Sequence, residues 1–393
     1  MNRAEILQGV RQMRFLEVYD RVRTGRLSLL EAAETLGMSE RTFRRVRQRY
    51  AEEGAVGLLD RRLGKVSAHR IGADEVSRIV ALYRARYAGW TVLHFHERAV
   101  ERHGLAASYG WTKSVLHAAG VVRAAPRRSA HRKKRPRRPL PGMMLHQDGS
   151  RHLWLTGLDH QIDLIVTMDD ATSEIYSAFF VEEEGTVSTF RGIADVIAGH
   201  GLFCSFYTDR GSHYFITPEG GGKVDKIHLT QVGRAMAQLG IQHIAAYSPE
   251  ARGRSERMFG TLQGRLPHEL TDAGITTMAA ANAYLTDVYL PAHNRLFAVP
   301  ASETGSAFVP WNGNPIGEIL CHQEDRIVGN DNTVSFERMR LQIEPSPLRT
   351  HFVRAVVQVR RYADATIGLF YGPRCIGRYG ATGSPLESIK KAA

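Results

Sequence analysis

The stretch FYTDRGSHY, residues 206–214, constrains the fold more than any other part of the chain. It ends an apolar, aromatic-rich run that begins at Leu202 and has the composition of a buried strand. Asp209 closes this run, and Gly211 and Ser212 form a turn that ends the strand. Because open α/β sheets place their sites at the carboxyl ends of strands, Asp209 is a candidate site residue. The alternative is an Asp that only starts a turn.

A second carboxylate has the same setting upstream. In MMLHQDGSRHLWL, a short apolar run is followed by Asp148, and Gly149 and Ser150 then form a turn. The pattern therefore predicts a second short strand that ends on an acidic residue.

A third carboxylate lies downstream on a predicted helix. In AAYSPEARGRSERMFGTLQGRL, Ser248 and Pro249 break the chain, and a basic, Gly-containing loop leads into a helix that carries Glu256. The apolar stripe of this helix consists of Met258, Phe259, Leu262 and Leu266. At about 100° per residue, Glu256 lies on the flank of the stripe, beside Gly260 and Gln263.

Three carboxylates on separate elements suit one kind of chemistry. Mg²⁺ takes oxygen ligands and is held by a few carboxylates together with phosphate oxygens and water. Two such ions about 3.5–4 Å apart activate the attacking oxygen and stabilise the leaving oxygen of a phosphoryl displacement.

Three ordered blocks, HQDGSRH, FYTDRGSHY and YSPEARGRSERMFGTLQ, resemble the signature blocks of DDE transposases of the retroviral-integrase superfamily. The resemblance is strongest to bacterial insertion-sequence transposases of the ISNCY type. It implies that Asp148, Asp209 and Glu256 are both catalytic and metal-binding, with Mg²⁺ or Mn²⁺ as cofactor and two ions per active site. It also implies cleavage at the ends of an insertion sequence and strand transfer into target DNA.

The third block carries one departure from the compact members of this superfamily. The interval between Asp209 and Glu256 is longer, and the excess lies in residues 216–231, a Gly-rich, charged segment that we expect to be a surface loop before a helix at 231–239. Glu250 is an alternative third carboxylate, and Asp169 or Asp170 is an alternative first one.

Composition limits the possible partners. The 393 residues suggest two to four domains, and 52 Lys and Arg against 40 Asp and Glu give a net charge of +12. This balance favours a polyanionic partner. No apolar run is long enough to cross a membrane. The three cysteines are too widely spaced for a disulfide framework or a zinc cluster.

The first 65 residues have the pattern of a helix-turn-helix domain. A first helix is predicted at 14–24, Ser28 starts a second in a capping box, and Gly37 ends it. Ser39 then starts a third, arginine-rich helix. We expect this helix to read the major groove of double-stranded DNA, and an ordinary solvated basic helix is the alternative. Its candidate DNA-binding residues are Arg41, Arg44, Arg45 and Arg47.

Three further regions follow in the prediction. Residues 66–125 form a second helical module of helix-turn-helix or winged type, or a plain helical spacer. Residues 126–140 are a basic linker that we expect to lack fixed contacts and to track the DNA backbone, or else to act only as a solubilising segment. Its candidate DNA contacts are Arg132, Lys133, Lys134 and Arg135. Near the site, the candidate DNA contacts are Arg252, Arg254 and Gln263.

The predicted fold class is multidomain. It combines α-helical helix-turn-helix modules, an α/β ribonuclease H-like core at 141–310 and a small C-terminal β-barrel at 318–382. The expected function is that of a DNA transposase that acts as a homo-oligomer of two or more copies. We expect it in the cytoplasm of a bacterium, associated with the nucleoid and not with a membrane. A catalytically silent DNA-binding regulator and a structure-directed nuclease are the alternatives.

Overall fold

The computed structural model describes residues 3–60, 70–123, 135–218, 222–247, 253–345 and 349–386. The chain divides into two compact units, residues 1–82 and 83–393. Within the described ranges, no helix has the length and apolarity needed to cross a bilayer.

The first unit is a helix-turn-helix domain, as predicted. It contains α1 (Arg3–Arg23), α2 (Leu29–Thr35) and α3 (Glu40–Glu53). In the predicted capping box, the Ser28 hydroxyl accepts a hydrogen bond from the Glu31 amide, and the Glu31 carboxylate accepts one from the Ser28 amide at 2.7 Å. A 3₁₀ turn (Gly54–Leu58) follows α3, and α4 (Ala73–Arg86) spans the division between the two units.

The turn between α2 and α3 depends on two residues. Gly37 has a φ of +64°, which glycine adopts without steric cost. The Ser39 hydroxyl then accepts a hydrogen bond from the amide of Thr42 and caps α3. The core of this unit consists of Phe15, Val18, Ala32, Ala33 and Phe43. The first helix begins eleven residues earlier than predicted, and Ile6, Leu7 and Val10 on its added turns are exposed. These turns instead make polar contacts, since the Gln8 and Gln12 side chains donate to the carbonyls of Leu58 and Ala55.

The second unit begins with two helices and continues into the core. The helices are α5 (Val92–His103) and α6 (Tyr109–Ala118), capped by Thr91 and Ser108. The core elements follow in the predicted order: β1 (Leu145–His152), β2 (Ile162–Asp169), β3 (Ile175–Val181), α7 (Thr186–His200), β4 (Ser205–Thr208), α8 (Gln231–Leu239), β5 (Gln242–Ala245) and α9 (Gly253–Gln263).

The five strands form one sheet in the order β3-β2-β1-β4-β5. β1, β2 and β3 are antiparallel neighbours, whereas β4 is parallel to both β1 and β5. This antiparallel meander followed by parallel αβ units is the ribonuclease H-like order that the resemblance implied.

Helices cover both faces of the sheet. α7 and α8 pack on one face around Ile193, Phe206 and Met236. α9 packs on the other face, where Val166 of β2 meets Phe259. The same face is covered by α10 (Leu266–Asp272), α11 (Met278–Tyr284) and α12 (Leu290–Phe297), with a π-helical turn (Leu285–Tyr289) between the last two.

The C-terminal part is rich in short strands, as predicted. Its strands are β6 (His322–Ile327), β7 (Thr333–Phe336), β8 (Met339–Gln342), β9 (Val356–Arg361), β10 (Ile367–Tyr371) and β11 (Arg374–Tyr379). They form a four-stranded sheet, β11-β10-β9-β6, and a β7-β8 hairpin around a shared core that includes Phe336, Phe352 and Leu369.

Candidate active site

The parallel pairing of β1 and β4 brings two of the predicted carboxylates together. Leu145 pairs with Phe206, and His146 pairs with Tyr207. Two residues further along each chain, this register leads to Asp148 and Asp209. Because neighbouring strands lie about 4.8 Å apart, these two residues are adjacent at the carboxyl end of β4.

Asp148 points to the face of the sheet that α9 covers. It lies opposite Val166 in the antiparallel β1-β2 pair. Directly opposite residues share a face of a sheet, and Val166 belongs to the core beneath α9. The residue is buried, with 8% of its surface exposed.

Asp209 starts a turn and also lies beside Asp148, so it satisfies both of the alternatives that the sequence left open. One of its carboxylate oxygens accepts a hydrogen bond from the Gly211 amide at 2.8 Å, which is the geometry of an Asx turn. Tyr214, five residues later, is buried, and its pKa is raised by burial, by Glu184 and by both Asp148 and Asp209. The two aspartates therefore act on the same buried hydroxyl group.

Two contacts fix α9 along β1. Near its first turn, the Arg254 guanidinium binds Asp170, which also binds His146 of β1. At its end, Gln263 Nε2 donates to Ser150 Oγ at 3.0 Å. The helix from Arg254 to Gln263 rises about 13.5 Å, and β1 from His146 to Ser150 spans about 13 Å. The two elements therefore run side by side in register over this interval.

Asp148 and Glu256 both lie between these two contacts. Glu256 is exposed and about 20° around the helix from Gln263, so it shares the flank that reaches β1. The structure thus brings Asp148 and Asp209 side by side and turns the Glu256 flank of α9 towards β1.

The three carboxylates fit a hard divalent cation by their chemistry. Among the described residues, no three His, Cys, Asp or Glu side chains converge closely enough to hold a metal by themselves. Mg²⁺ does not require such a cage, because it keeps several waters and binds one or two carboxylates together with substrate phosphates. An all-oxygen donor set with one exposed member, Glu256, is compatible with that requirement.

The alternative first carboxylates have other partners. Asp169 accepts hydrogen bonds from the amides of Gly142 and Thr172, both at 2.9 Å. Burial alone would raise the pKa of Asp170, but hydrogen bonds from His146 and the Arg138 amide hold this pKa well below its usual range. Both side chains are fully buried. Glu250, the alternative third carboxylate, lies outside the described residues.

Apart from Gln263, which donates to Ser150, the predicted DNA contacts fall into three groups. On α3, Arg41, Arg44 and Arg45 are exposed and Arg47 is half-buried, and Arg44 pairs with Glu40. The candidates outside the described residues are Arg132, Lys133, Lys134 and Arg252.

Arg135 and Arg254 form the third group, because both bind Asp170. The linker was expected to lack fixed contacts throughout, and this is wrong for its last residues. Arg137 Nη1 donates to the Asp170 carbonyl at 2.9 Å, and the Arg138 amide donates to the Asp170 carboxylate at 2.8 Å. A buried acid, which sequence alone did not connect to these cations, accounts for the order.

Glu184, which lies close to the candidate site, was not among the predicted site residues. Its carboxylate accepts from the Tyr214 hydroxyl at 3.3 Å and lies 3.6 Å from His213 Nε2. It also lies against Gly149, where a Cβ would come within 2.3 Å of it. The available signal was the run of three acids, Glu182, Glu183 and Glu184, between the end of β3 and Gly185, since acids that follow a core strand are the pattern that identified Asp209.

The sheet order is that of a ribonuclease H-like fold. A family model described as winged helix-turn helix matches residues 16–76. The chain is 31% identical to the transposase y4bF of Sinorhizobium fredii over 92% of this chain and 79% of that protein. It is 24% identical to the transposase for insertion sequence IS1202 of Streptococcus pneumoniae, over 80% of this chain and 74% of that protein. The chain therefore belongs to the transposase family and is a DNA-binding protein.

A solved structure of the simian T-cell lymphotropic virus intasome in complex with PP2A regulatory subunit B56 gamma is also similar. The match covers 76% of this chain and 97% of that chain at 16% identity, with a TM-score of 0.36. A likeness at this level adds no argument about the site.

Proposed function

We propose that this transposase cleaves the ends of its own insertion sequence and joins them to target DNA in one divalent-metal site. The observation that carries the proposal is the placement of Asp148 beside Asp209, with α9 fixed along β1 so that the Glu256 flank faces the same strand.

Asp148, Asp209 and Glu256 would hold Mg²⁺ or Mn²⁺, as the two ions that two-metal phosphoryl transfer requires. When bound, the metal activates the attacking oxygen and stabilises the leaving oxygen. The residues of the chain orient these ligands: the Gly211 amide fixes the Asp209 carboxylate, and the Gln263–Ser150 bond holds the Glu256 flank. Because phosphoryl transfer of this kind requires no protein nucleophile, neither a Ser nor a Tyr is needed to attack DNA.

The proposed DNA contacts divide between the two units. Arg41, Arg44, Arg45 and Arg47 of α3 would recognise the terminal repeats. Arg132, Lys133, Lys134 and Arg252 would neutralise phosphates. We further propose that two or more copies of the chain assemble on paired element ends, since two ends are joined in one reaction.

The test substitutes each carboxylate separately. We expect Asp148→Asn, Asp209→Asn and Glu256→Gln each to lower Mg²⁺-dependent cleavage by at least about 1,000-fold, because each removes a charged ligand, which is worth several kcal/mol of transition-state stabilisation. Binding to the terminal repeat, measured by gel shift, should stay within about twofold.

Glu250→Gln is the control, and it should cleave at the wild-type rate. Normal cleavage by Glu256→Gln together with loss in Glu250→Gln would reassign the third ligand. Binding without any cleavage by the wild type would favour a silent regulator. Cleavage without strand transfer would favour a nuclease.

A further inference from the structure

A buried carboxylate, Asp170, contacts both β1 and α9, the two elements that carry Asp148 and Glu256. Asp170 directly follows β2, and none of its side chain is exposed. One oxygen accepts from Arg135 Nη2 and His146 Nε2, each at 2.7 Å, and from the Arg254 guanidinium. The other oxygen accepts from the Arg138 amide at 2.8 Å. These contacts are called the Asp170 cluster.

The groups that bind Asp170 come from three separate segments, namely the end of the linker, β1 and α9. His146 lies in β1, two residues before Asp148, and Arg254 lies in α9, two residues before Glu256. Arg254 also donates to the carbonyl of Arg135 at 2.8 Å, so the end of the linker is held in the same place. Any movement of α9 along β1 therefore has to break bonds to Asp170.

We propose that Asp170 is a positioning residue that sets where Glu256 lies relative to Asp148. This inference rests on the proposed function, because it assumes that these two carboxylates act together. Asp170 itself, enclosed by cations and fully buried, does not reach substrate.

The cost of burying these charges supports a role other than stability. Buried ion pairs pay a large desolvation penalty, and apolar residues of similar volume often replace them without loss of stability. Their best-attested benefit is that they specify one arrangement of the packed elements. Here the directional bonds from His146 and Arg254 select one register of α9 on β1.

Asp169 offers a matched control. It is equally buried and adjacent in sequence, but the bonds it accepts come from Gly142 and Thr172, neither of which belongs to α9. Substituting Asp169 should disturb the end of β2 without releasing α9.

The experiment compares the wild type, Asp170→Asn, Asp169→Asn, Glu256→Gln and the double variant Asp170→Asn/Glu256→Gln as full chains. Amide hydrogen exchange is measured across α9 and β2, and Mn²⁺ binding is measured by calorimetry without DNA. We expect Asp170→Asn to speed exchange in the first turns of α9 and to weaken Mn²⁺ binding by about 10–100-fold. In the Glu256→Gln background the same change should weaken binding little further, because both act through one ligand.

Arg254→Gln removes the Arg254–Asp170 contact from the α9 side. This variant replaces Asp170→Asn in the comparison if Asp170→Asn fails to fold. Unchanged exchange in α9 for both variants would overturn the inference. So would equal losses in Asp170→Asn and Asp169→Asn, which indicate a general loss of stability. Faster exchange in α9 combined with wild-type Mn²⁺ binding by Glu256→Gln would instead contradict the proposed role of Glu256, while the positioning of α9 by Asp170 would stand.

Discussion

Buried side chains connect β1, which carries Asp148, to the segment that follows Asp209. The one hydrogen of the Tyr214 hydroxyl is shared between Gln147 Oε1 at 3.1 Å and Glu184 Oε1 at 3.3 Å, and Gln147 Nε2 donates to Thr167 Oγ1 at 2.9 Å. Burial, followed by the charge of Glu184, raises the pKa of Tyr214 well above its usual value, so the hydroxyl stays a protonated donor. One buried hydrogen bond thereby joins the segment after Asp209 to the residue before Asp148.

Tyr214→Phe tests this connection at the scale of one oxygen atom. We expect the variant to lose about 1–3 kcal/mol of unfolding free energy, because Gln147 Oε1 would be left buried without its donor. Denaturant unfolding measures the loss. Tyr109→Phe, at a tyrosine that is 39% exposed, is the control and should stay within about 0.5 kcal/mol of the wild type. Equal behaviour of the two variants would remove Tyr214 from this role.

At the scale of elements, one side of α3 packs against the core of the first unit, and the other side carries exposed arginines. Phe43 is fully buried, whereas Arg41, Arg44 and Arg45 are exposed. Arg44 is already paired with Glu40, one turn earlier. Arg45 is therefore the better single test of the proposed reading of DNA by this helix.

Arg45→Ala should weaken binding to the terminal repeat by about 1–3 kcal/mol relative to random DNA, since a base contact carries that much discrimination. Gel-shift titrations on both DNAs measure the difference. Arg23→Ala, at an exposed arginine that pairs with Asp20 on α1, is the control. A loss of equal size on both DNAs would make Arg45 a phosphate contact.

At the scale of the whole second unit, buried charges join its leading helices to the α/β core. Glu269 of α10 accepts from His94 of α5 at 2.7 Å and binds Arg98, also of α5. Arg265 completes the junction by pairing with Glu97 at 2.7 Å. Burial alone would raise the pKa of Glu269, but the His94 bond and the Arg98 charge lower it to about 2.

This junction predicts a pH-dependent stability. The folded-state pKa of Glu269 lies below its ordinary value of 4.5, so its contribution is complete above pH 4.5 and is lost as the pH falls towards 2. Glu269→Gln should cost on the order of 3 kcal/mol at pH 7, and its deficit should shrink over that acid range. Burial also lowers the pKa of His94, so protonating it opposes folding in both proteins.

Unfolding free energies at pH 7 and near pH 3 measure the effect. Glu101→Gln is the control, because that carboxylate also pairs with Arg98 but is 62% exposed, and it should change stability by less than about 1 kcal/mol. A deficit of Glu269→Gln that stays constant with pH would contradict the assignment.

The sequence by itself indicated most of the local structure and the candidate ligands. One local prediction is wrong: the strand does not end on Asp148, because β1 continues to His152 and its pairing with β2 runs through Gly149 and Ser150. The caps at Ser28 and Ser39 and the helix Gln231–Leu239 are as predicted, because capping and helical periodicity depend on residues three or four apart. The strand order of the core also follows from such local patterns together with the resemblance. The predicted domain boundaries and the roles of the carboxylates stay predictions.

Only the tertiary structure decided which of the charged residues pair with one another. Arg254 and Asp170 are 84 positions apart, and His94 and Glu269 are 175 apart. No local pattern marks such partners, because an arginine that binds DNA and an arginine that pairs with a buried carboxylate look the same in the sequence. The difference arises when β2 and α9 pack, since the carboxylate then leaves water and must be neutralised by whatever cations the fold brings within reach.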